Sequence, residues 1–155
     1  MKLEDILNYY AVDERIASSG QPGRGQFDAI AAAGYQAVIN LARHDSPGAL
    51  ADEGAVVTAL GLDYFHQPVD FEAPRMRDLE LFFDLMQTLG RRRVWVHCAL
   101  NYRVSCFLYL YRRHVQGMAE EQAARPLQAI WRPEGAWQEL IAAAARRYGD
   151  GLSRV

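Results

Sequence analysis

The sequence predicts one layered α/β domain with a mainly parallel central sheet of four to five strands flanked by helices. Short apolar segments of strand length alternate along the chain with longer segments in which apolar residues recur at helical spacing. The chain has 155 residues, half of them hydrophobic, which is sufficient for one sizeable core. Its sequence shows no repeat, linker or low-complexity tract, so we expect residues 1–155 to form a single domain.

The first half of the chain predicts three strands and two helices. Three segments have the apolar composition and the length of strands, at residues 15–22, 35–41 and 62–69. A short helix around Phe27 is expected to end at Gly34, because glycine commonly follows the last helical turn. Ser46 and Pro47 have the character of an N-cap and a first helical residue, which predicts a second helix that closes at Gly61.

The second half predicts one more strand and four helices. The helices are predicted where apolar side chains recur at helical spacing, at residues 79–89, 103–115, 119–131 and 136–148. The strand covers residues 93–98 and ends in Cys98. Ligands of parallel sheets bind at the carboxyl ends of the strands, so Cys98 marks the expected position of a site.

Composition and charge exclude several classes of function. The net charge is −2 and there is no basic tail, so neither nucleic acid nor an anionic membrane is an expected partner. No apolar run is long enough to span a bilayer, and the start of the chain lacks the layout of a signal peptide. We therefore expect a soluble cytoplasmic protein. Two cysteines and four histidines without ligand spacing predict neither a disulfide framework nor a metal or other cofactor.

The stretch VHCALNYRVS, residues 96–105, combines the groups needed for nucleophilic chemistry on an anion. Cys98 lies where a strand gives way to a short loop and a helix, and backbone N–H groups and the helix dipole there stabilise a thiolate. Arg103 opens the helix, where its planar guanidinium can bind two oxygens of an oxyanion. We expect His97 to orient the loop by hydrogen bonds to backbone carbonyls and Ser105 to donate its hydroxyl to the sulfur.

The flanking segments decide whether this stretch is a functional site or only a structural one. A cysteine and an arginine five positions apart are, by themselves, more often a buried cysteine and a helix-opening arginine. Four segments from about residue 10 to residue 115, SSGQP (18–22), AAAGYQAVINLAR (31–43), YFHQPVDF (64–71) and VHCALNYRVS, favour the functional interpretation. In this order they resemble the cysteine-dependent phosphatases of the protein-tyrosine and dual-specificity type. The resemblance is strongest to a bacterial, beta-lactamase-hydrolase-like branch.

The resemblance implies a phosphatase-like fold and a two-step hydrolysis of a phosphorylated small molecule or phosphoprotein without a metal ion. Cys98 would attack the phosphorus while Arg103 holds its oxygens. The residues whose backbone amides would surround the phosphate are Ala99, Leu100, Asn101, Tyr102 and Arg103. Asp70 matches the position of the aspartate that protonates the leaving group, with Glu72 as its substitute. A turn or capping role is the ordinary alternative for Asp70.

One position departs from this family. Four residues separate Cys98 from Arg103 where the family has five, and Asn101 stands where the family has glycine. Asparagine is the commonest non-glycine residue in the left-handed region, so we expect the turn to persist. The shorter ring also resembles rhodanese-type sulfurtransferases, so sulfur transfer through a Cys98 persulfide and non-catalytic oxyanion binding both stay open. Arg43 is a candidate second guanidinium for a dianion, or else a surface ion-pair residue.

Overall fold

The computed structural model describes residues 1–149, which form a three-layer α/β domain. The strands are β1 Tyr10–Ala11, β2 Ile16–Ser19, β3 Ala37–Asn40, β4 Asp63–His66 and β5 Val94–His97. The helices are α1 Gln26–Ala32, α2 Glu53–Ala59, α3 Met76–Leu89, α4 Tyr102–His114, α5 Glu120–Ile130 and α6 Ala136–Tyr148. The predicted fold class is confirmed. Residues 150–155, which the single-domain expectation includes, lie outside the described residues.

The sheet places β5 at its centre. The strand order is β1-β2-β5-β3-β4, with β2, β5, β3 and β4 parallel and only the short edge pair β1-β2 antiparallel. The helical crossovers that parallel strands need account for the alternation read in the sequence. Ser19 and Asn40 both pair in register with His97, so three polar residues lie side by side at the carboxyl edge of the sheet.

Two hydrophobic clusters cover the two faces of the sheet. Alternate strand residues point to opposite faces, so Trp95 packs with α1 and α2, while Val96 packs with α3 to α6. Phe27 and Val57 belong to the cluster on the Trp95 face of the sheet, and Phe107 belongs to the cluster on the Val96 face. Because β5 is covered on both faces, Cys98 directly follows the most enclosed part of the sheet.

The predicted start of the second helix is wrong. Ser46 does not cap a helix, because its N–H donates to the Arg43 carbonyl oxygen in a turn and Gly48 has a φ of 77°. This left-handed backbone interrupts any helix that begins at Pro47. The helix that ends near Gly61 instead begins at Glu53, so it has only two turns.

No helix within residues 1–149 is long and apolar enough to cross a membrane.

Candidate active site

Cys98 lies at the bottom of a small cavity at the carboxyl edge of the sheet. The side chain is 1% exposed, and the cavity has a volume of about 160 Å³. Its lining consists of the loop and one residue from the segment after β4, namely Phe71, Cys98, Ala99, Leu100, Tyr102 and Arg103. The structure therefore brings the predicted nucleophile, the predicted loop and the predicted arginine together around one cavity.

The carbonyl groups of the loop are held by donors outside it. The Ala99 carbonyl oxygen accepts from the Gln21 N–H at 3.0 Å, and the Leu100 carbonyl oxygen accepts from the Asn8 side-chain amide at 2.9 Å. In a planar trans peptide the next N–H points opposite to the carbonyl. The N–H groups of Leu100 and Asn101 consequently point away from these two outside donors. The first N–H groups of α4 add to them, because they have no acceptor within the helix.

Asn101 forms the turn that lets a four-residue loop enter α4. Its φ is 73°, which confirms the predicted left-handed backbone at this position. The side-chain amide donates to the Asn8 carbonyl oxygen at 2.8 Å and to the Ser18 hydroxyl at 3.0 Å. Asparagine thus supplies the glycine-like backbone and also ties the loop to the N-terminal segment and to β2.

Gly20, in the SSGQP segment, is required by close packing against the loop. A Cβ at this position would lie 2.6 Å from the Ala99 carbonyl oxygen, which is closer than any real carbon contact. Its own N–H donates to the Leu7 carbonyl oxygen at 2.7 Å. The glycine therefore allows the segment after β2 and the loop after β5 to touch backbone to backbone.

Arg103 is buried at the start of α4, with 6% of its surface exposed. One terminal nitrogen, Nη1, donates to the Val69 carbonyl oxygen at 2.9 Å. The guanidinium carbon lies 5.9 Å from the centre of the Phe71 ring, within cation–π range. Its Nε is buried without a hydrogen-bond partner among the described residues. The arginine is thus fixed in place and keeps donor capacity beside Cys98.

His97 lies beneath the loop, as the sequence predicts, but it has a partner that the sequence does not indicate. Its Nδ1 is 3.2 Å from the Cys98 carbonyl oxygen, and its Nε2 is 2.6 Å from Oε2 of Glu53. Glu53 also accepts from the Gln21 side chain at 2.8 Å. Burial opposes ionisation of Glu53, but hydrogen bonds and charge from His97, assisted by Gln21 and Tyr64, outweigh it and lower the pKa of this carboxyl.

Asp70 and Arg43 lie on a neighbouring part of the surface. Oδ2 of Asp70 is 3.8 Å from a terminal nitrogen of Arg43, and Oδ1 accepts from the Glu72 N–H at 2.9 Å. Both side chains line a separate cavity of about 370 Å³, whereas Glu72 lines another of about 590 Å³. Arg43 forms surface ion pairs with Asp70 and with Asp45.

Ser105 does not direct its hydrogen at the sulfur, contrary to expectation. The hydroxyl donates to the Tyr102 carbonyl oxygen at 3.2 Å within the first turn of α4. The hydroxyl therefore stabilises the helix start.

Aromatic residues from the C-terminal part of the chain pack on Phe71 and Tyr102, two residues that line the Cys98 cavity. The rings of Tyr102 and Trp131 stack at 4.7 Å with an angle of 4° between their planes. Trp137 is 2% exposed, packs on the core at Phe107, and donates its indole N–H to the Phe71 carbonyl oxygen at 2.8 Å. The C-terminal tryptophans thus pack on the core and support the residues beside the loop.

Among residues 1–149 there is no group of three or more histidine, cysteine, aspartate or glutamate side chains that could hold a metal ion. Cys98 and Cys106 are both free.

Comparison with solved structures identifies the family. A "Putative phosphatase (DUF442)" from Shewanella putrefaciens CN-32 is 36% identical, with 95% of this chain and 97% of that chain covered and a TM-score of 0.85. The chain belongs to the DUF442 family. Its fold is that of the protein-tyrosine-phosphatase-like proteins.

More distant structures share the fold. Tk-PTP is 21% identical, with 90% of this chain and 97% of that chain covered and a TM-score of 0.74. TpbA of P. aeruginosa, solved in complex with pTyr, is 17% identical, with 88% and 82% covered and a TM-score of 0.68. No protein-family model and no curated protein matches the chain.

Proposed function

We propose that this DUF442 protein is a cysteine-dependent phosphomonoester hydrolase. The observation that carries the proposal is that the loop after β5 and the buried Arg103 line the cavity that contains Cys98, while the loop carbonyl groups are bound to donors outside the loop. Preorganised donors of this kind stabilise the charge that develops on a phosphoryl group in transfer. The phosphatase relatives support the same reaction class.

The proposed reaction has two displacement steps. The Cys98 thiolate attacks phosphorus, the bond from phosphorus to the leaving oxygen breaks, and a side-chain acid protonates that oxygen. Water then attacks the phosphocysteine, the phosphorus–sulfur bond breaks, and inorganic phosphate leaves while the thiolate is regenerated. Arg103 and the N–H groups of the loop hold the phosphoryl oxygens in both steps. The carboxylate that the acid becomes in the first step accepts the proton of the attacking water in the second step.

We assign the proton donor to Asp70. Asp70 directly follows Val69, whose carbonyl oxygen accepts a hydrogen bond from Arg103. The chain therefore keeps Asp70 close to the Arg103 guanidinium. Glu72 is the competing assignment, because its cavity shares Phe71 and Tyr102 with the cavity of Cys98. Variants of the two carboxylates separate these assignments.

The entrance to the site favours a phosphate carried by an apolar or aromatic group. Phe71, Leu100 and Tyr102 surround the opening, and Leu100 is 45% exposed at the tip of the loop. An exposed leucine at this point contributes apolar contact to whatever enters. The pTyr bound by TpbA is a ligand of this kind. Both a phosphorylated small molecule and a phosphoprotein can present such a group.

The decisive experiment is hydrolysis of an aryl phosphate, with the wild type measured beside Cys98→Ser, Asp70→Asn and Glu72→Gln. We expect the serine variant to be inactive and Asp70→Asn to lose about a hundredfold, the usual contribution of a general acid. The loss should be greater for an alkyl phosphate, because a poor leaving group depends more on protonation. If Glu72→Gln shows that dependence instead, Glu72 is the acid. Wild-type turnover that survives in Cys98→Ser contradicts the mechanism.

Sulfur transfer is a second candidate, favoured by the four-residue spacing between Cys98 and Arg103. The Cys98 thiolate would attack the outer sulfur of thiosulfate, releasing sulfite and leaving a persulfide on Cys98. A cyanide ion would then take that sulfur as thiocyanate and regenerate the thiolate. A smaller ring of N–H groups fits a persulfide sulfur better than a tetrahedral phosphate.

Binding and mass measurements distinguish these functions. Phosphate or vanadate bound within hydrogen-bond distance of the loop N–H groups shows that the short ring admits a tetrahedral ion. A gain of one sulfur atom on Cys98 from thiosulfate, with thiocyanate formed in turnover and no oxyanion bound, favours the transferase. Oxyanion binding without either turnover identifies a non-catalytic binding module.

A further inference from the structure

Both ring nitrogens of His97 face hydrogen-bond acceptors. Nε2 lies 2.6 Å from a carboxylate oxygen of Glu53, and Nδ1 lies 3.2 Å from the Cys98 carbonyl oxygen. A carbonyl oxygen cannot donate, so the second contact is a hydrogen bond only when Nδ1 carries hydrogen. The first contact needs a second proton, located between Nε2 and Glu53. The pair therefore holds two protons, and an ionised Glu53 places both on His97.

The surroundings of the Glu53–His97 pair keep its hydrogen bond in place. His97 is fully buried and Glu53 is 3% exposed, so neither can exchange its partner for water without opening the core. The other carboxylate oxygen of Glu53 accepts from Gln21, and the Phe27 ring packs against the imidazole at 6.1 Å. Tyr64 of β4 is the other titratable side chain that acts on Glu53.

The Cys98–Ala99 peptide transmits this arrangement to the site. Its carbonyl oxygen points at Nδ1, so the N–H of Ala99 points away from His97, on the side of the peptide opposite the buried pair. The Gln21 and Asn8 contacts orient the next two peptides, and the Glu53–His97 pair orients this first one. Only four residues separate Cys98 from Arg103, so the loop has few N–H groups and the orientation of each one matters.

We propose that Glu53 is a positioning residue for Cys98, acting through a doubly protonated His97 that fixes the first loop peptide and carries a positive charge on the residue next to the nucleophile. This inference deepens the proposed function, since it concerns the same nucleophile. A lone neutral histidine would orient the peptide equally well in the correct tautomer. Only the carboxylate stabilises the positive charge in a fully buried position.

Glu53→Gln separates charge from orientation. A glutamine amide can donate to Nε2, which leaves hydrogen on Nδ1 and preserves the contact with Cys98, but the imidazole is then neutral. Asp78→Asn is the matched control, because Asp78 is a carboxylate of the same burial, 3% exposed, that pairs with Arg75. Both variants neutralise one buried carboxylate, and only the first touches His97.

The first measurement is the ultraviolet absorbance of the Cys98 thiolate against pH, with Cys98→Ser subtracted as background. We expect the midpoint of thiolate formation to rise by about one pH unit in Glu53→Gln, the effect of losing an opposite charge on the neighbouring residue. This corresponds to about tenfold less thiolate at a pH below the midpoint. Asp78→Asn should leave the midpoint where the wild type has it. An unchanged midpoint in folded Glu53→Gln overturns the proposal.

The second measurement needs no variant that might misfold. Nitrogen NMR of the labelled His97 imidazole in the wild type should show both ring nitrogens protonated at neutral pH. An unprotonated ring nitrogen of His97 in that spectrum also overturns the proposal. Neither measurement involves turnover, so a protein that passes both and hydrolyses no phosphomonoester contradicts the proposed function alone.

Discussion

The two cysteines of the molecule are equally buried, but different groups surround them. Cys98 is 1% exposed and Cys106 is 0% exposed, and both belong to the larger hydrophobic cluster. Cys106 lies within α4, where apolar neighbours surround it and burial raises the pKa of its thiol. Cys98 lies eight positions earlier, where a cavity, backbone N–H groups and Arg103 meet.

The comparison shows that burial does not decide the chemistry of a thiol; the donors around it do. Inside a helix every nearby N–H already has an acceptor, so a thiolate at Cys106 would be unsolvated and unpaired. At Cys98 the helix has not yet begun, and its first N–H groups are still without acceptors. Two positions in one stretch of chain thus hold an inert cysteine and a candidate nucleophile.

The largest expected effect is on turnover when each cysteine is replaced by serine. Cys98→Ser should reduce hydrolysis of an aryl phosphate more than about a thousandfold, since the nucleophile is lost. Cys106→Ser should keep turnover within about twofold and lower the free energy of unfolding by about 1–2 kcal/mol, because it buries a hydroxyl. Steady-state kinetics and denaturant unfolding measure these effects. Equal losses of turnover in both variants would contradict the assignment of Cys98 as the nucleophile and of Cys106 as an inert residue.

Arg103→Lys tests which donors make the Cys98 environment different. We expect kcat/KM for an aryl phosphate to fall by about a hundredfold, because an ammonium cannot keep the Val69 contact and bind two oxygens together. Inhibition by vanadate should weaken in parallel. Wild-type kinetics in this variant would show that the backbone N–H groups suffice.

Gly20→Ala tests the packing that orients the loop. The added Cβ would meet the Ala99 carbonyl oxygen at 2.6 Å, so the loop or β2 must move. We expect a loss of about 1–3 kcal/mol in the free energy of unfolding, with a drop of about tenfold in kcat. Gly25→Ala is the control, since nothing lies within 4 Å of its added Cβ. Matching stabilities for the two variants would contradict a tight contact at Gly20.

The smallest expected effect is an acid-dependent loss of stability from Glu53. Its pKa is lower in the folded protein than its ordinary value of 4.5, so the unfolded chain binds the proton more readily. The stabilisation is present above pH 4.5 and disappears as the pH falls through the lower folded value. Denaturant midpoints measured downward from pH 4.5 should therefore fall more in the wild type than in Glu53→Gln. Parallel pH profiles would contradict this contribution.

Local patterns in the sequence were sufficient for the architecture and for the loop. Strand and helix periodicity, read in windows of about ten residues, predicted the central sheet and the place of Cys98 at its carboxyl edge. The left-handed backbone of Asn101 was predictable because it depends on one side chain and its own backbone. The start of α2 was missed since Ser46 and Pro47 also suit a turn, and Gly48 decides between the two.

The partners of the loop depended on the tertiary structure. Glu53 lies 44 positions before His97, and Asn8 lies 93 positions before Asn101. No periodicity connects residues so far apart, because only the pairing of the strands across the sheet brings them to one edge. The positions of Asp70 and Trp131 likewise follow from which surfaces pack. Backbone preference acts over a few residues, whereas the surroundings of a buried charge are set by every element that encloses it.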